Sequence, residues 1–173
     1  MIVLLFDLTM VTIGLFHPVT NLRLYNITLP VQQVFIMWFF ILLLQERKLI
    51  IAPVLFTVFA VTNLTIWQGE IILNTYSLAL GGILILVLAF IKLFQLYQQD
   101  TTKSLFQEAA FWICAGFIVY WGLATPFFAM YNFLWQTFPR FFTYYFFTIN
   151  FGFTIFLNIS VIKALQCSIN TAK

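Results

Sequence analysis

The feature that most constrains this chain is a series of long apolar runs without the polar turns of a soluble domain. The runs approach the about 20 residues that an α-helix needs to cross the hydrocarbon core of a bilayer. Only 8% of the residues are charged, whereas roughly a quarter are charged in a soluble domain. The sequence therefore predicts an all-α fold, a polytopic transmembrane helical bundle whose helices contact the lipid bilayer.

The apolar runs divide the chain into about six predicted helices of one transmembrane domain, which covers residues 1–173. These helices cover residues 2–16, 30–44, 49–67, 76–97, 108–133 and 141–165. Residues 17–30 are predicted to form a turn-rich connection, with Pro30 in the first turn of the second helix, where its missing N–H does no harm. A kink is expected at Pro126, because proline removes one backbone hydrogen bond from a helix.

The positions of lysine and arginine predict the orientation, because cytoplasmic loops of membrane proteins are enriched in these residues. Alternating the six helices across the membrane collects most basic residues on one side: Arg47, Lys48, Lys92, Lys103, Lys163 and Lys173. The other side has only Arg23 and Arg140. The carboxyl terminus is therefore expected to lie in the cytoplasm. The scattered basic residues form no stripe that would hold nucleic acid.

The sequence offers few residues for catalysis or metal binding. The single histidine, His17, lies beside Pro18 at a helix end, whereas a metal site usually needs three or four N, O or S ligands. Most carboxylates fall in or beside predicted loops: Glu46, Glu70, Asp100 and Glu108. We therefore expect no catalytic residues, no metal site and no cofactor, and predict a protein that is not an enzyme.

Polar residues inside the runs are candidates for a ligand-binding pocket. Asp7 lies within the first predicted helix, where a charged group is costly unless it faces the bundle interior or a water-filled path. Its alternative position is near the membrane surface. In the last helix Asn150, Thr154 and Asn158 recur every four residues. They form one polar stripe, which we expect to point inward.

Three further candidates lie in other helices. Asn63 is surrounded by apolar residues in the third predicted helix, and Trp121 and Thr125 share one face of the fifth. Together with the polar stripe, they are expected to form one interior cluster. Such a cluster can bind a small ligand, or it can hold the helices together by hydrogen bonds of about 0.6 kcal/mol each. The sequence alone leaves both interpretations open.

Two stretches carry a resemblance to a known group of proteins. They are residues 21–40 (NLRLYNITLPVQQVFIMWFF) and 111–120 (FWICAGFIVY), together with the final helix around Asn150 and Asn158. The chain resembles small polytopic membrane proteins from Bacteroidetes, with about seven helices and no assigned function, some of them encoded beside sensor histidine kinases. The resemblance implies a bacterial inner membrane. It also implies that this chain lacks the first helix of the seven-helix pattern.

Three functions fit these observations. The first is a non-enzymatic sensory or relay component that acts through a membrane protein partner, since no soluble output domain is evident in the sequence. The second is a carrier of a small ligand or ion with an intramembrane polar pocket. The third is a structural subunit of a larger membrane complex, favoured by the 23 phenylalanines that can face lipid or partner helices alike. The expected partner is a membrane protein or, in a homo-oligomer, a second copy of the chain.

Overall fold

The computed structural model describes residues 18–69, 72–98 and 104–171, and it describes the side chains of residues 23–69, 72–98, 104–139 and 148–169. Every regular element in these ranges is a helix. Five of the helical segments are long and apolar enough to cross a membrane. Over the described residues the chain is thus all-helical, with five candidate membrane spans. The predicted helix 2–16, including Asp7, lies outside the described residues.

The five segments follow one another with short connections. Helix α1 covers Pro18–Leu44, and a 3-10 turn, Arg47–Ile50, leads into α2, Ile51–Thr62. A π-helical turn, Asn63–Trp67, extends α2 to the length of a span. The remaining helices are α3, Thr75–Gln98, α4, Ala109–Thr137, and α5, Pro139–Thr171, with a 3-10 turn, Leu105–Gln107, before α4.

The prediction of a turn-rich connection over residues 17–30 was wrong, because α1 runs from Pro18 through Pro30 without ending. Asparagine favours turns, but Asn26 is buried here and bonds to another part of the chain. Its Nδ2 donates to the carbonyl of Ile72, 2.8 Å away, and its Oδ1 accepts from the backbone N–H of Asn74, also at 2.8 Å. These tertiary bonds hold the segment as helix, which local turn preference does not anticipate.

Several exposed or half-buried threonines bond to the backbone of their own helix. The hydroxyls of Thr28, Thr57 and Thr62 each donate to the carbonyl four residues earlier, at 2.7 to 2.9 Å. An unpaired polar group is costly in hydrocarbon, so each helix must satisfy its own groups. A threonine whose hydroxyl bonds to its own helix in this way can face lipid.

The connection between α4 and α5 is a single residue, Phe138, whose N–H donates to the carbonyl of Leu134. Pro139 then begins α5, in a position where no intrahelical donor is needed. Helix α4 itself continues through Pro126. The two helices therefore form a tight hairpin, and α5 packs mainly against α4.

Helices α1, α3 and α4 form the centre of the bundle. The rings of Phe40 on α1 and Phe117 on α4 meet edge to face, with centroids 5.3 Å apart. Helix α3 approaches both neighbours at a glycine pair: a Cβ on Gly81 would lie 2.3 Å from Gln33 Oε1 on α1, and a Cβ on Gly82 would lie 2.3 Å from Thr125 Oγ1 on α4. Because Gly81 and Gly82 have no side chains, α3 can lie this close to α1 and α4.

Candidate functional site: a buried amide cluster

Polar side chains converge where α2 passes into α3. The group, here called the amide cluster, has members on α1, the π-helical turn, the α2–α3 connection, α3 and α4: Asn26, Asn63, Gln68, Asn74, Thr75, Ser77 and Asn132. All seven side chains are uncharged. The chemistry that the cluster can perform is therefore the making and exchange of hydrogen bonds.

Asn63 is the centre of the cluster and is fully buried. Its Nδ2, which has two hydrogens, lies within hydrogen-bonding distance of three acceptors: Gln68 Oε1 at 2.9 Å, Ser77 Oγ at 3.1 Å and Asn74 Oδ1. Asn63 opens the π-helical turn, in which the N–H of Gln68 bonds to its carbonyl at 2.9 Å. Single π-helical turns in α-helices occur frequently at functional sites.

Gln68 links the π-helical turn to the start of α3. Its Nε2 donates to Thr75 Oγ1 at 2.8 Å, and its Oε1 accepts from the backbone N–H of Tyr76 at 3.1 Å. The first N–H groups of a helix have no intrahelical partner, so Gln68 caps the amino end of α3. Gly69 follows with φ of +68°, a left-handed conformation that glycine adopts without strain and that lets the chain reverse.

Two further asparagines connect α1 and α4 to this junction. Asn26 connects α1 to the junction through its hydrogen bonds to Ile72 and Asn74. Asn132, near the carboxyl end of α4, donates from Nδ2 to the carbonyl of Leu73 at 3.2 Å and to Thr75 Oγ1 at 3.4 Å. The cluster thus joins α1, α2, α3 and α4 at one end of the bundle.

Two buried atoms of the cluster have no hydrogen-bond partner: Asn63 Oδ1, an acceptor, and Asn74 Nδ2, a donor. They belong to the two side chains that already bond to each other through Asn63 Nδ2 and Asn74 Oδ1. Turning both amide groups over would exchange this bond for one from Asn74 Nδ2 to Asn63 Oδ1. Because Asn63 Oδ1 would then face Gln68 Oε1, a second acceptor, this exchange also requires the Gln68 amide group to turn.

Trp121 and Thr125 are both buried on α4, as expected, and both face the glycine pair of α3. The indole packs against the ring of Phe128, with centroids 6.2 Å apart. Trp121 Nε1 and Thr125 Oγ1 have no hydrogen-bond partner, and neither side chain bonds to a member of the amide cluster. Among the predicted site residues in the described ranges, Asn63 is thus the one that lies in a hydrogen-bonded group joining several helices.

The predicted polar stripe on α5 bonds to its own helix. Thr154 Oγ1 donates to the carbonyl of Asn150, and Asn158 Nδ2 donates to the carbonyl of Thr154, each at 2.9 Å. Asn150 is half-buried, but Asn158 is exposed, so the prediction that the stripe points inward was wrong for Asn158. At 3.6 residues per turn, positions four apart drift by about 40°, so the stripe winds away from α4.

A shallow crevice lies between α4 and α5. It is lined by Ala124, Phe127, Ile149, Asn150 and Phe153, and it is too narrow to admit a water molecule. Asn150 is its only polar side chain among these five. Within the described part of the chain, no group of three or more His, Cys, Asp or Glu residues could hold a metal ion.

Sequence reasoning missed several residues of this region, namely Asn26, Asn74 and Asn132 in the amide cluster and Gln33 one turn deeper. Gln33 is buried, and its Nε2 donates to the carbonyl of Leu78 at 2.9 Å. One signal was present: Asn26 and Gln33 are seven residues apart and share a helix face if the segment is helical. Because residues 17–30 were interpreted as a turn, that face was not recognised.

No family model, curated protein or solved structure matches the chain.

Proposed function

We propose that the chain is a non-enzymatic integral membrane protein that relays a signal from the amide cluster to a partner protein through α4 and α5. The observation that carries this proposal is the continuity of α4. This helix is bonded to the amide cluster at Asn132 and packs closely against α5 near its other end. One continuous helix therefore contacts both the polar junction and the last helix.

The amide cluster supplies an element with two arrangements, as a relay requires. The Asn63–Asn74 pair can exchange its hydrogen bond between the two amide groups, and each exchange changes what Gln68 and Ser77 can bond to. Two distant sites are coupled when both shift the equilibrium of one structural element that has two discrete arrangements. Ligand binding, membrane deformation or a partner's motion near the cluster would favour one arrangement.

Helices α4 and α5 approach each other closely at Gly116. A Cβ there would lie 2.8 Å from the Cβ of Ser160 and 3.1 Å from Leu157 Cδ1. Gly116 and Asn132 are separated by about 24 Å along the helix axis at 1.5 Å per residue. A shift of α4 at the cluster would therefore move the carboxyl half of α5.

The basic residues support an orientation in which the amide cluster faces away from the cytoplasm. The opposite end of the bundle has Arg47 and Lys48 between α1 and α2, and Lys163 towards the end of α5. Cytoplasmic segments are enriched in such residues. The relay would then run inward to a cytoplasmic carboxyl end in a bacterial inner membrane. The resemblance to proteins encoded beside sensor histidine kinases supports a signalling partner.

The relay is tested by labelling Cys167, near the carboxyl end of α5, with a maleimide in membranes. Cys114 is fully buried, so the reaction rate reports on Cys167. Asn132→Ala removes the bonds of α4 to the cluster and should change the Cys167 rate about two- to thirtyfold, which is the range expected for coupling of 0.5–2 kcal/mol. A rate unchanged from wild type contradicts transmission through α4.

Thr62→Ala is the matched control, since Thr62 is a membrane-helix residue whose hydroxyl bonds only to the carbonyl of Val58. It should leave the Cys167 rate unchanged. The partner is tested separately by purifying the tagged chain from native membranes after mild cross-linking. Recovery of the chain without any enriched second protein would contradict a relay to a partner.

A further inference from the structure

Helix α5 has an exposed stripe on the side opposite α4. Only 11% of its most apolar window is buried, compared with 39% for α3. Ser160 and Ala164 are buried against α4. The residues on the opposite side, here called the α5 stripe, are all exposed: Phe151, Ile155, Asn158, Ile162, Leu165 and Ile169.

The spacing of the α5 stripe is that of a coiled-coil seam. Its members are separated by 4, 3, 4, 3 and 4 residues, which is the alternation of the a and d positions in a heptad. Isoleucine occupies all three a positions, Ile155, Ile162 and Ile169. The d positions have phenylalanine, asparagine and leucine. In parallel coiled coils, isoleucine at a with leucine at d favours two strands.

Asn158 lies near the middle of the span Thr148–Ile169 and belongs to this exposed stripe. Its Nδ2 bonds to the carbonyl of Thr154, but no group in the described ranges donates to its Oδ1. A carboxamide in hydrocarbon is costly without partners. Because a carboxamide contains both a donor and an acceptor, a second Asn158 is a matching partner across a two-fold axis.

We propose that α5 pairs in parallel with α5 of a second copy of this chain, through the α5 stripe and with Asn158 bonded to Asn158. Two copies inserted in the same orientation present their α5 helices in parallel, as the seam requires. Gly152 and Thr154 flank the stripe, and a Cβ on Gly152 would meet nothing within 4 Å. Small residues of this kind allow two membrane helices to approach closely. This pairing stands independently of the proposed relay.

Cysteine cross-linking in native membranes tests the seam. In a Cys167→Ser background that keeps the buried Cys114, Ile155→Cys on the stripe is compared with Phe156→Cys. The two positions are similarly exposed, at 45% and 39%, but point about 100° apart. Under mild oxidation, Ile155→Cys should give a disulfide-linked product of twice the 20.2 kDa chain mass, and Phe156→Cys should not.

Equal cross-linking at both positions, or none at either, would overturn the proposal. A product of another mass would show that a different protein covers the stripe, and a link within one chain would show that another segment of the same chain does. Each of these results also rejects the second copy as the occupant.

The asparagine pair is tested by energy transfer between labelled copies in liposomes. Asn158→Leu keeps the side-chain size and should raise the dissociation constant about eightfold, which corresponds to losing two interhelical bonds of about 0.6 kcal/mol each. Asn158→Gln keeps the donor and acceptor and should retain association. Because Asn158 is exposed, both variants should unfold like the wild type. Wild-type association of Asn158→Leu would overturn the asparagine pairing.

Discussion

In the amide cluster, asparagine and glutamine side chains bond to other parts of the bundle, whereas on α5 the Asn158 side chain bonds to the backbone of its own helix. Asn63 reaches the α2–α3 connection and α3, while Asn158 reaches only the preceding turn of α5. Both residues are asparagines in apolar surroundings. An asparagine can therefore join helices at one position and lie on an exposed helix face at another, depending on which side chains pack beside it.

The strongest test of this difference is Asn63→Ala. Removing the amide would leave Gln68, Asn74 and Ser77 with fewer partners in a buried site, and unpaired buried groups cost about 1–3 kcal/mol each. We expect the free energy of unfolding to fall by about 3 kcal/mol, measured by denaturation with SDS in mixed micelles. Asn158→Ala is the paired variant and should change stability by less than about 0.5 kcal/mol. Equal losses for both would remove the distinction between the two regions.

A second test compares glycines in the same two regions. Gly82→Ala would place a Cβ 2.3 Å from Thr125 Oγ1 and 2.9 Å from Trp121 Cε3, and overpacking of this kind costs about 1–3 kcal/mol. The thermal unfolding temperature in detergent should therefore fall. Gly152→Ala on α5 meets open space within one chain, so in detergent at concentrations where the chain is monomeric it should leave that temperature unchanged or raise it slightly, since alanine favours helix. A stable Gly82→Ala would show that α3 and α4 can separate without loss.

The contribution of α4 to the amide cluster is smaller and can be isolated. Asn132→Ala removes two long hydrogen bonds, of 3.2 and 3.4 Å, so we expect a loss of about 1 kcal/mol in the same SDS denaturation. A double-mutant cycle with Asn63→Ala would show whether the losses are coupled. If the losses in free energy of unfolding of the two single variants add up to that of the double variant, Asn132 acts on the α2–α3 connection independently of the Asn63 network.

The smallest effect is expected at Thr125, which is buried yet bonds to nothing. Its Oγ1 has no partner, so Thr125→Val exchanges an unsatisfied hydroxyl for a methyl group of similar shape, a change that can be neutral or stabilising. Chemical denaturation should show no loss of stability. A loss above about 1 kcal/mol would mean that this hydroxyl has a hydrogen-bond partner in the membrane.

Much of the helical architecture could be predicted from the sequence, because hydrocarbon forces each apolar run to close its own backbone hydrogen bonds. The predicted helix 76–97 agrees with α3, Thr75–Gln98, to within one residue at each end. The start of α1 was wrong by twelve residues, since Pro30 lies inside the helix. Proline and asparagine are reliable turn signals in water, but a helix in a bundle can retain them when neighbours satisfy the freed groups.

The candidate site was predicted only in part. Asn63 was chosen correctly as a buried polar residue, but its partners Gln68 and Asn74 are loop residues, which a search inside the apolar runs does not consider. Asn158 was expected to face inward on the basis of a four-residue repeat. Whether such a repeat faces the bundle depends on the rotation of α5 against α4, and the crossing of two helices is not encoded in the spacing along one of them.

The sequence by itself determined that the chain is helical and suited to a bilayer, because these follow from the solvent in which each segment must satisfy its backbone. Only the tertiary structure decided which asparagines join helices and which remain exposed. Helix rotation and the glycine contacts of α3 set those distances, and a hydrogen bond between helices exists only where both partners come within about 3 Å.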